Sequence, residues 1–210
     1  MFTFRDPLPI IFPAEGEVLN QVRYVLASFA EERIRAVAGG GLLRDLYLDR
    51  PYKDADLFVH ASDASDEKVI SVLQSLGFTD VKIVVTNAAT EYMEFADVES
   101  VIEGVHPSIP VPVQVIRVVT NNQSGERMIE RLDLGPCQIG MDHLGHFWHT
   151  IQFWTDVSER TFTVTRNEGN DIERSVKRFE RLEQKYPGWK LVVPKEPQAA
   201  FDLDSHPLLA

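Results

Sequence analysis

The sequence predicts an α/β (α+β) fold in which helices flank a mixed sheet. Residues 15–31 carry apolar side chains at helical spacing, with Val18, Val22 and Phe29 on one face. By contrast, the segment VPVQVIRVV, residues 111–119, has the β-branched content of a strand. Segments of both kinds follow one another along the chain, which is typical of a sheet packed against helices.

The remaining elements follow from the same two patterns. A short apolar strand at 34–38 breaks into three consecutive glycines, and Gly77 ends a helix at 65–76. Asn170 is a suitable N-cap for the last clear helix. Further strands are expected at 55–59, 81–85, 91–95 and around 133–141, and further helices at 42–48, 122–132, 152–160 and 171–186. The proline-containing tail after Trp189 is expected to be loosely ordered.

The composition favours a cytoplasmic protein without a membrane partner. No stretch approaches the roughly 18 apolar residues of a membrane helix, and the first residues lack a basic region before an apolar run. The single cysteine, Cys137, excludes an internal disulfide and a cysteine-cluster metal site.

The charge balance limits the kinds of partner. A net charge of −11 disfavours DNA and extended, sequence-blind tRNA binding, because such proteins neutralise phosphates with Lys and Arg. Residues 159–195 are the exception, with nine Lys and Arg against six Asp and Glu. Any contact with a polyanion is therefore expected near this C-terminal stretch.

Gly40 and Gly41 lie where the first strand passes into a helix. Glycine has no β-carbon, so a phosphate could approach the backbone N–H groups at the positive end of that helix. A tight turn without any ligand is the alternative for these two residues.

Asp54 and Asp56 begin the strand expected at 55–59. Residues two apart on a strand point to the same face, so the two carboxylates converge. Converging carboxylates repel each other unless a cation lies between them, and Mg²⁺ binds carboxylates together with triphosphate oxygens. The alternative is the solvent-facing side of an edge strand.

Together these residues resemble the head-domain signature of class II CCA-adding tRNA nucleotidyltransferases and bacterial poly(A) polymerases, in the nucleotidyltransferase superfamily. In that signature GGxVRD, an arginine and DxD follow at this spacing, and here Leu43 stands at the valine position. The resemblance covers about twenty residues. The matching residues are Gly40, Gly41, Arg44, Asp45, Arg50, Asp54 and Asp56.

The resemblance implies a metal-dependent nucleotidyltransferase that moves NMP from an NTP to an acceptor hydroxyl and releases pyrophosphate. Asp54 and Asp56 would be catalytic and would hold two Mg²⁺ ions. CTP and ATP are the family's nucleotides, and an RNA 3′ end such as that of tRNA is its acceptor. Residues 1–145 would form the head domain and residues 146–210 a C-terminal helical extension that reads the nucleobase.

The other matching residues would bind or support the nucleotide. By the resemblance, Gly40 and Gly41 would seat the triphosphate. Arg44 and Asp45 would hold ribose or phosphate and buttress the site, and Arg50 would steady the loop. An ordinary exposed helix pair is the alternative for Arg44 and Asp45.

Two later segments extend the resemblance. The sequence RLDL at 131–134 partly matches the family's RRDFTxNA strand, so Asp133 would contact the site or serve as a structural strand carboxylate. The segment NDIER at 170–174 resembles EDxxR, the motif that reads the incoming base. Asp171 and Arg174 are helical neighbours that could present an acceptor and a donor to a nucleobase, although such pairs also arise from helix electrostatics alone.

Two features depart from the family. Gln114 stands on the strand where many nucleotidyltransferases carry a third carboxylate, and Glu94 is an alternative on another strand. Only about 35 residues follow Arg174, whereas the resembling enzymes continue into helical domains that hold tRNA. Transfer to a protein or small molecule, and nucleotide binding without catalysis, therefore remain alternative hypotheses.

Overall fold

The computed structural model describes residues 3–5 by their backbone, and residues 16–84, 98–119, 124–166 and 171–194. The strand expected at 91–95, Glu94, Asn170 and the tail from residue 195 lie outside the described residues, as does the side chain of Asp171.

Within the described ranges, eight strands form one mixed sheet. They are β1 Thr3–Arg5, β2 Ala36–Gly39, β3 Ala55–His60, β4 Thr79–Ile83, β5 Val98–His106, β6 Ile109–Val118, β7 Ile139–Met141 and β8 Phe147–Thr150. Their order across the sheet is β1-β8-β7-β2-β3-β6-β5-β4. β3 and β6 are parallel, and the other neighbouring pairs are antiparallel. The α/β class with a mixed sheet, predicted from the sequence, is confirmed.

Helices and a two-stranded sheet complete the described fold. The helices are α1 Gly16–Glu31, α2 Gly41–Tyr47, α3 Asp66–Ser75, α4 Gly125–Glu130, α5 Ile151–Glu159 and α6 Asp171–Glu183. The small parallel sheet contains β9 Thr161–Thr163 and β10 Lys190–Val192. Among the expected helices, α1 buries the predicted face, with Val22 and Phe29 at 1% and 0% exposure. Burial of one such side chain contributes roughly 1.5–3 kcal/mol.

The two faces of β3 enter different parts of the core. Leu57 and Val59 pack with residues of α1 and α3 in the largest apolar cluster. Phe58 faces the other way and packs with Ile116 of β6 and Met128 of α4. This alternation places Asp56, two residues before Phe58, on the α4 side of the sheet.

A third apolar cluster joins the C-terminal region to the rest of the chain. Leu134 and Cys137 pack there with Phe162 of β9, Phe179 of α6 and Tyr186. The aromatic rings of Phe162 and Tyr186 lie 5.2 Å apart in an edge-to-face arrangement. α6 is therefore attached through buried aromatic contacts.

Two expectations about the C-terminal half need correction. The strand expected around 133–141 is a 3₁₀ helix at Gly135–Cys137 followed by β7, because Pro136 has no N–H for a strand ladder and fits the first turn of a helix. The tail after Trp189 is not loosely ordered throughout, since β10 pairs with β9. The expected helix at 171–186 ends at Glu183.

The proposed division at residues 145 and 146 stays a prediction. β8, which follows it directly, pairs with β7 and β1 in the main sheet. The first strand after the division therefore belongs to the same sheet as the strands before it.

Candidate active site

The signature glycines and Asp56 meet at the centre of the sheet. Gly39, the last residue of β2, pairs with Asp56 of β3. Gly40 then turns the chain into α2 with φ 75° and ψ −133°, a backbone conformation that residues with a side chain rarely adopt. A β-carbon on Gly40 would lie 3.5 Å from Oδ2 of Asp56. Glycine therefore allows the turn and keeps the space beside the carboxylate clear.

Asp56 is a buried carboxylate on a central strand. It is 4% exposed, and β3 lies between β2 and β6. The edge-strand alternative is therefore wrong for this residue. Asp54 lies one residue before β3 and is half-buried. Burial of an ionised carboxylate requires hydrogen bonds or a cation to offset its lost hydration.

A cleft opens beside Asp56 on the α4 side of the sheet. Its apolar lining comes from Phe58, Val98, Ile116, Val118, Met128 and Leu132, and its polar lining from Asp56, Asp133, Arg131, Arg166 and Arg178, with Gly40 at the edge. An apolar cleft with a few convergent polar groups is typical of a small-molecule site. The three guanidinium groups suit an anionic ligand.

Asp133 connects α6 to this cleft through hydrogen bonds. It is 1% exposed and accepts hydrogen bonds from Arg178 Nη1 at 2.6 Å and from Ser175 Oγ at 3.2 Å. Asp133 therefore serves as a structural carboxylate and also lines the cleft. It lies before the 3₁₀ helix and not in a regular strand.

Arg44 and Asp45 lie in the interior, beneath the glycine turn. They are 3% and 2% exposed, so the alternative of an exposed helix pair is wrong. Arg44 Nε donates to Asp45 Oδ1 at 2.7 Å and to the hydroxyl of Tyr186 at 2.9 Å. Asp45 also accepts hydrogen bonds from the Tyr186 hydroxyl and from Lys185 Nζ. The pair thus connects α2 to the residues that follow α6, which fits the buttressing part of the expected role.

Burial and neighbouring charges shift the pKa values of two side chains in this network, Arg44 and Tyr186. Burial raises the pKa of Tyr186 above its ordinary value, with Asp45 adding to the effect. Burial opposes the charged form of Arg44, but Cys137, Asp45 and Tyr186 together raise its pKa. Arg44 Nη1 lies 3.0 Å from the sulfur of Cys137. Arg44 is therefore a fixed positive charge and Tyr186 a neutral hydroxyl.

The other predicted site residues are distributed around the cleft. Gly41 is the first residue of α2. Arg50 is exposed, and its backbone N–H donates to the carbonyl oxygen of Asp45 at 2.7 Å. Asp171 begins α6 and Arg174 is half-buried on that helix, outside the residues that line the cleft. Nucleotide contacts by these residues stay predictions.

Two arginines that line the cleft, Arg166 and Arg178, were not predicted from the sequence. Arg178 lies one helical turn after Arg174, so the helical period of α6 was a usable signal. Arg166 follows β9 after a short interval, and no motif marks it. Tertiary structure brings both residues to the cleft that Asp56 also lines.

The described residues contain no cluster of three or more His, Cys, Asp or Glu side chains arranged to hold a metal ion. Gln114 of β6 is in register with Asp56 of β3, on the strand where the resemblance to nucleotidyltransferases predicts a further carboxylate. Glu94, the other candidate, lies outside the described residues.

Solved structures with a similar fold include several CCA-adding enzymes. The fold is theirs. The enzyme from Bacillus stearothermophilus in complex with CTP is 17% identical, with a TM-score of 0.58, and the match covers 85% of this chain and 42% of that one. The enzyme from Thermotoga maritima complexed with tRNA is 14% identical, with a TM-score of 0.60, and the match covers 87% and 41%. A CCA-adding enzyme in complex with ATP is 14% identical, with a TM-score of 0.61 and coverage of 91% and 43%.

This chain thus spans less than half the length of those CCA-adding enzymes. No family model and no curated protein matches the sequence. Within the described residues, no helix combines the length and apolar character needed to span a membrane.

Proposed function

We propose that the protein is a metal-dependent nucleotidyltransferase that transfers NMP from an NTP to an acceptor hydroxyl. One observation carries the proposal: Gly40, the buried Asp56 and three arginines line one cleft on the fold of the CCA-adding enzymes. The cleft combines a carboxylate suited to a cation with guanidinium groups suited to phosphates.

Asp54 and Asp56 would hold Mg²⁺, with two ions expected. The residues fit this group, because carboxylate oxygens are ligands that Mg²⁺ prefers and Gly40 keeps the space beside Asp56 clear. Bound Mg²⁺ would supply charge neutralisation for the triphosphate and activation of the attacking hydroxyl.

The remaining residues would position the nucleotide. Arg131, Arg166 and Arg178 would neutralise phosphate oxygens, and the apolar cleft lining would pack against the base or ribose. Backbone N–H groups at Gly40 and Gly41 would face the triphosphate. Arg44, Asp45 and Arg50 would hold this turn in place, and Asp171 and Arg174 would contact the base, as the sequence predicts.

The reaction is an in-line displacement at the α-phosphorus. The acceptor oxygen forms a bond to phosphorus while the bond to the bridging oxygen breaks, and pyrophosphate leaves with that electron pair. The hydroxyl proton passes to solvent. The protein accelerates the step by fixing both reactants and by placing positive charge around the phosphates.

For the acceptor, we propose an RNA 3′ end, with CTP or ATP as donor. The CCA-adding enzymes of similar fold are known in complex with CTP, ATP and tRNA. The basic stretch 159–195 includes α6, which borders the cleft through Arg178. A hydroxyl of a protein or small molecule is the alternative acceptor, favoured by the net charge of −11.

A nucleotide-binding protein without turnover is the second candidate. Gln114 favours it, because a neutral amide stands beside Asp56 where a third carboxylate would attract the metal more strongly. Under this hypothesis the protein would bind NTP and Mg²⁺ without releasing pyrophosphate.

The Asp56→Asn variant tests the proposal while preserving the shape of the buried side chain. Loss of a metal ligand removes several kcal/mol of charge stabilisation, so transfer from labelled CTP or ATP should fall at least about 100-fold. Asp54→Asn should have an effect in the same direction. Asp80→Asn, on the exposed strand β4, is the matched control and should leave transfer within about twofold.

The acceptor is identified in the same assay by mixing labelled NTP, Mg²⁺, total RNA and a protein extract. Label in RNA supports the RNA 3′ end, and label in protein or small molecules supports the alternative acceptor. Nucleotide binding without any labelled product supports the second candidate. Absence of both NTP binding and transfer in the wild-type chain would overturn the enzyme proposal.

A further inference from the structure

Gln114 lies in a row of polar residues that crosses three neighbouring strands. Asp56 of β3 pairs with Gln114 of β6, and Gln114 pairs with Glu103 of β5. Residues that pair across neighbouring strands project to the same face. The row therefore runs from the proposed metal ligand Asp56 through an amide to a second carboxylate.

Glu103 determines how the amide of Gln114 is turned. Gln114 Nε2 donates a hydrogen bond to Glu103 Oε2 at 3.0 Å. A carboxylate only accepts hydrogen bonds, so the amide nitrogen must face Glu103 and the carbonyl oxygen must face away from it. Lys82 Nζ lies 3.4 Å from the other oxygen, Glu103 Oε1, and holds this carboxylate from the opposite side.

The carbonyl oxygen of Gln114 is buried. Oε1 accepts no hydrogen bond from the part of the chain that the structure describes. A buried acceptor of this kind needs a donor or a cation to offset its lost hydration. Its neighbour in the row, on the side away from Glu103, is Asp56, where the proposed function places Mg²⁺.

We propose that Gln114 is a neutral oxygen ligand of the metal site and that Glu103 is its positioning residue; this inference rests on the proposed function. An amide carbonyl is among the hard oxygen ligands that divalent cations accept. In this arrangement the chain replaces the third carboxylate by an amide and keeps a carboxylate one strand further out. The metal site then carries less negative charge, so it should bind the ion tightly only together with the nucleotide.

Exchanging the two side chains gives the most specific test. In the double variant Glu103→Gln with Gln114→Glu, the amide nitrogen at 103 can donate to the new carboxylate at 114. The pair and the net charge are thereby conserved. A carboxylate now stands next to Asp56, so Mn²⁺ should bind about tenfold tighter without nucleotide than it binds to the wild type. A side chain at position 114 that faces away from the ion predicts no such gain, because the exchange conserves the net charge of the pair.

Single variants test the two roles separately. Gln114→Met removes the oxygen while keeping the side-chain length, and should weaken Mn²⁺ binding at least about tenfold. Glu103→Met removes the positioning carboxylate and should weaken binding in the same direction. Gln74→Met, on the exposed surface of α3, is the matched control and should change the affinity less than twofold.

The measurement is Mn²⁺ binding followed by electron paramagnetic resonance of the free ion, with and without a non-hydrolysable ATP analogue. Thermal unfolding of the metal-free proteins checks their folding. If Gln114→Met does not fold, Mn²⁺ binding to the double variant, which keeps the hydrogen bond, tests the role of position 114.

Two outcomes separate this inference from the proposed function. Mn²⁺ affinity that is unchanged in Gln114→Met and in the double variant, but lost in Asp56→Asn, overturns the role of Gln114 alone. A wild-type chain that binds neither Mn²⁺ nor nucleotide overturns the proposed function and this inference with it.

Discussion

At the scale of single residues, the backbone of Gly40 constrains the site most strongly. Its φ of 75° belongs to the left-handed region, and its missing β-carbon faces Asp56. Gly188 has a similar φ of 81°, but a β-carbon there would meet no atom within 4 Å. A substitution at Gly188 therefore tests backbone strain alone, whereas a substitution at Gly40 adds a β-carbon beside Asp56.

We expect Gly40→Ala to lower stability and to weaken nucleotide binding. Strain at a positive φ costs roughly 1–3 kcal/mol, equivalent to about 2–12 °C in Tm for a chain of this size. The new methyl group and the altered turn should also reduce NTP affinity about tenfold. Isothermal titration and thermal unfolding check both effects. Gly188→Ala should lower Tm similarly while leaving NTP affinity unchanged, and equal losses of affinity in both variants would contradict the role of Gly40.

The sequence was sufficient for some residues of the site and insufficient for others. Gly40 and Asp56 belong to one short signature, so the family resemblance predicted that they share a site. The contact of Gln114 with Glu103 depends on strand register, which the alternating pattern of two separate strands does not specify. Arg166 reaches the cleft only through the path of the chain after β9.

At the scale of elements, α2 and the turn after α6 form one buried unit. Tyr186 is separated from Asp45 by 141 positions in sequence, yet its hydroxyl donates to Asp45 and accepts from Arg44. The sequence predicted that both helices exist, because each has its own apolar period. It could not predict their contact, because nothing in a helical period specifies a partner 141 residues away.

We expect Tyr186→Phe to destabilise the protein in a pH-dependent manner. Removal of the hydroxyl leaves Arg44 and Asp45 each with one hydrogen bond fewer, at a cost of about 1–3 kcal/mol. Burial raises the pKa of Tyr186 in the folded state, so the hydroxyl stabilises the fold fully below the unfolded tyrosine pKa of about 10. Above that pH the unfolded state loses the proton first, and the stability difference between wild type and variant should shrink.

Urea unfolding at several pH values from 8 to about 11 measures this difference. Tyr24→Phe is the control, because Tyr24 is 59% exposed and its hydroxyl can remain hydrated in both states. A stability difference for Tyr186→Phe that is zero at pH 8, or that grows with pH above 10, would contradict the buried hydrogen bonds described here.

At the scale of the whole molecule, the sequence predicted the central strands β3 and β6 but not the short strands β8 and β9. β6 is rich in β-branched residues and β3 carries the apolar run Leu57, Phe58 and Val59, so composition alone indicated both strands. β8 and β9 contain four and three residues, too few for any period to show. Those two strands carry the chain from the main sheet to the cluster around Phe162, and neither was predicted from the sequence.

We expect a chain that ends at Arg166 to lose most of its stability. Truncation there removes α6, Tyr186 and β10, and it exposes Phe162, which is 0% exposed in the intact protein. Loss of each large buried side chain costs about 3–5 kcal/mol, against a typical total stability of 5–15 kcal/mol. Asp45 would also lose Tyr186 and Lys185, leaving Arg44 to balance it alone.

A chain that ends at Pro194 keeps all of these contacts and is the control, which should still unfold cooperatively. Circular dichroism during heating distinguishes the two chains, and cooperative unfolding of the shorter chain at the Tm of the control would show that the head is stable without the extension.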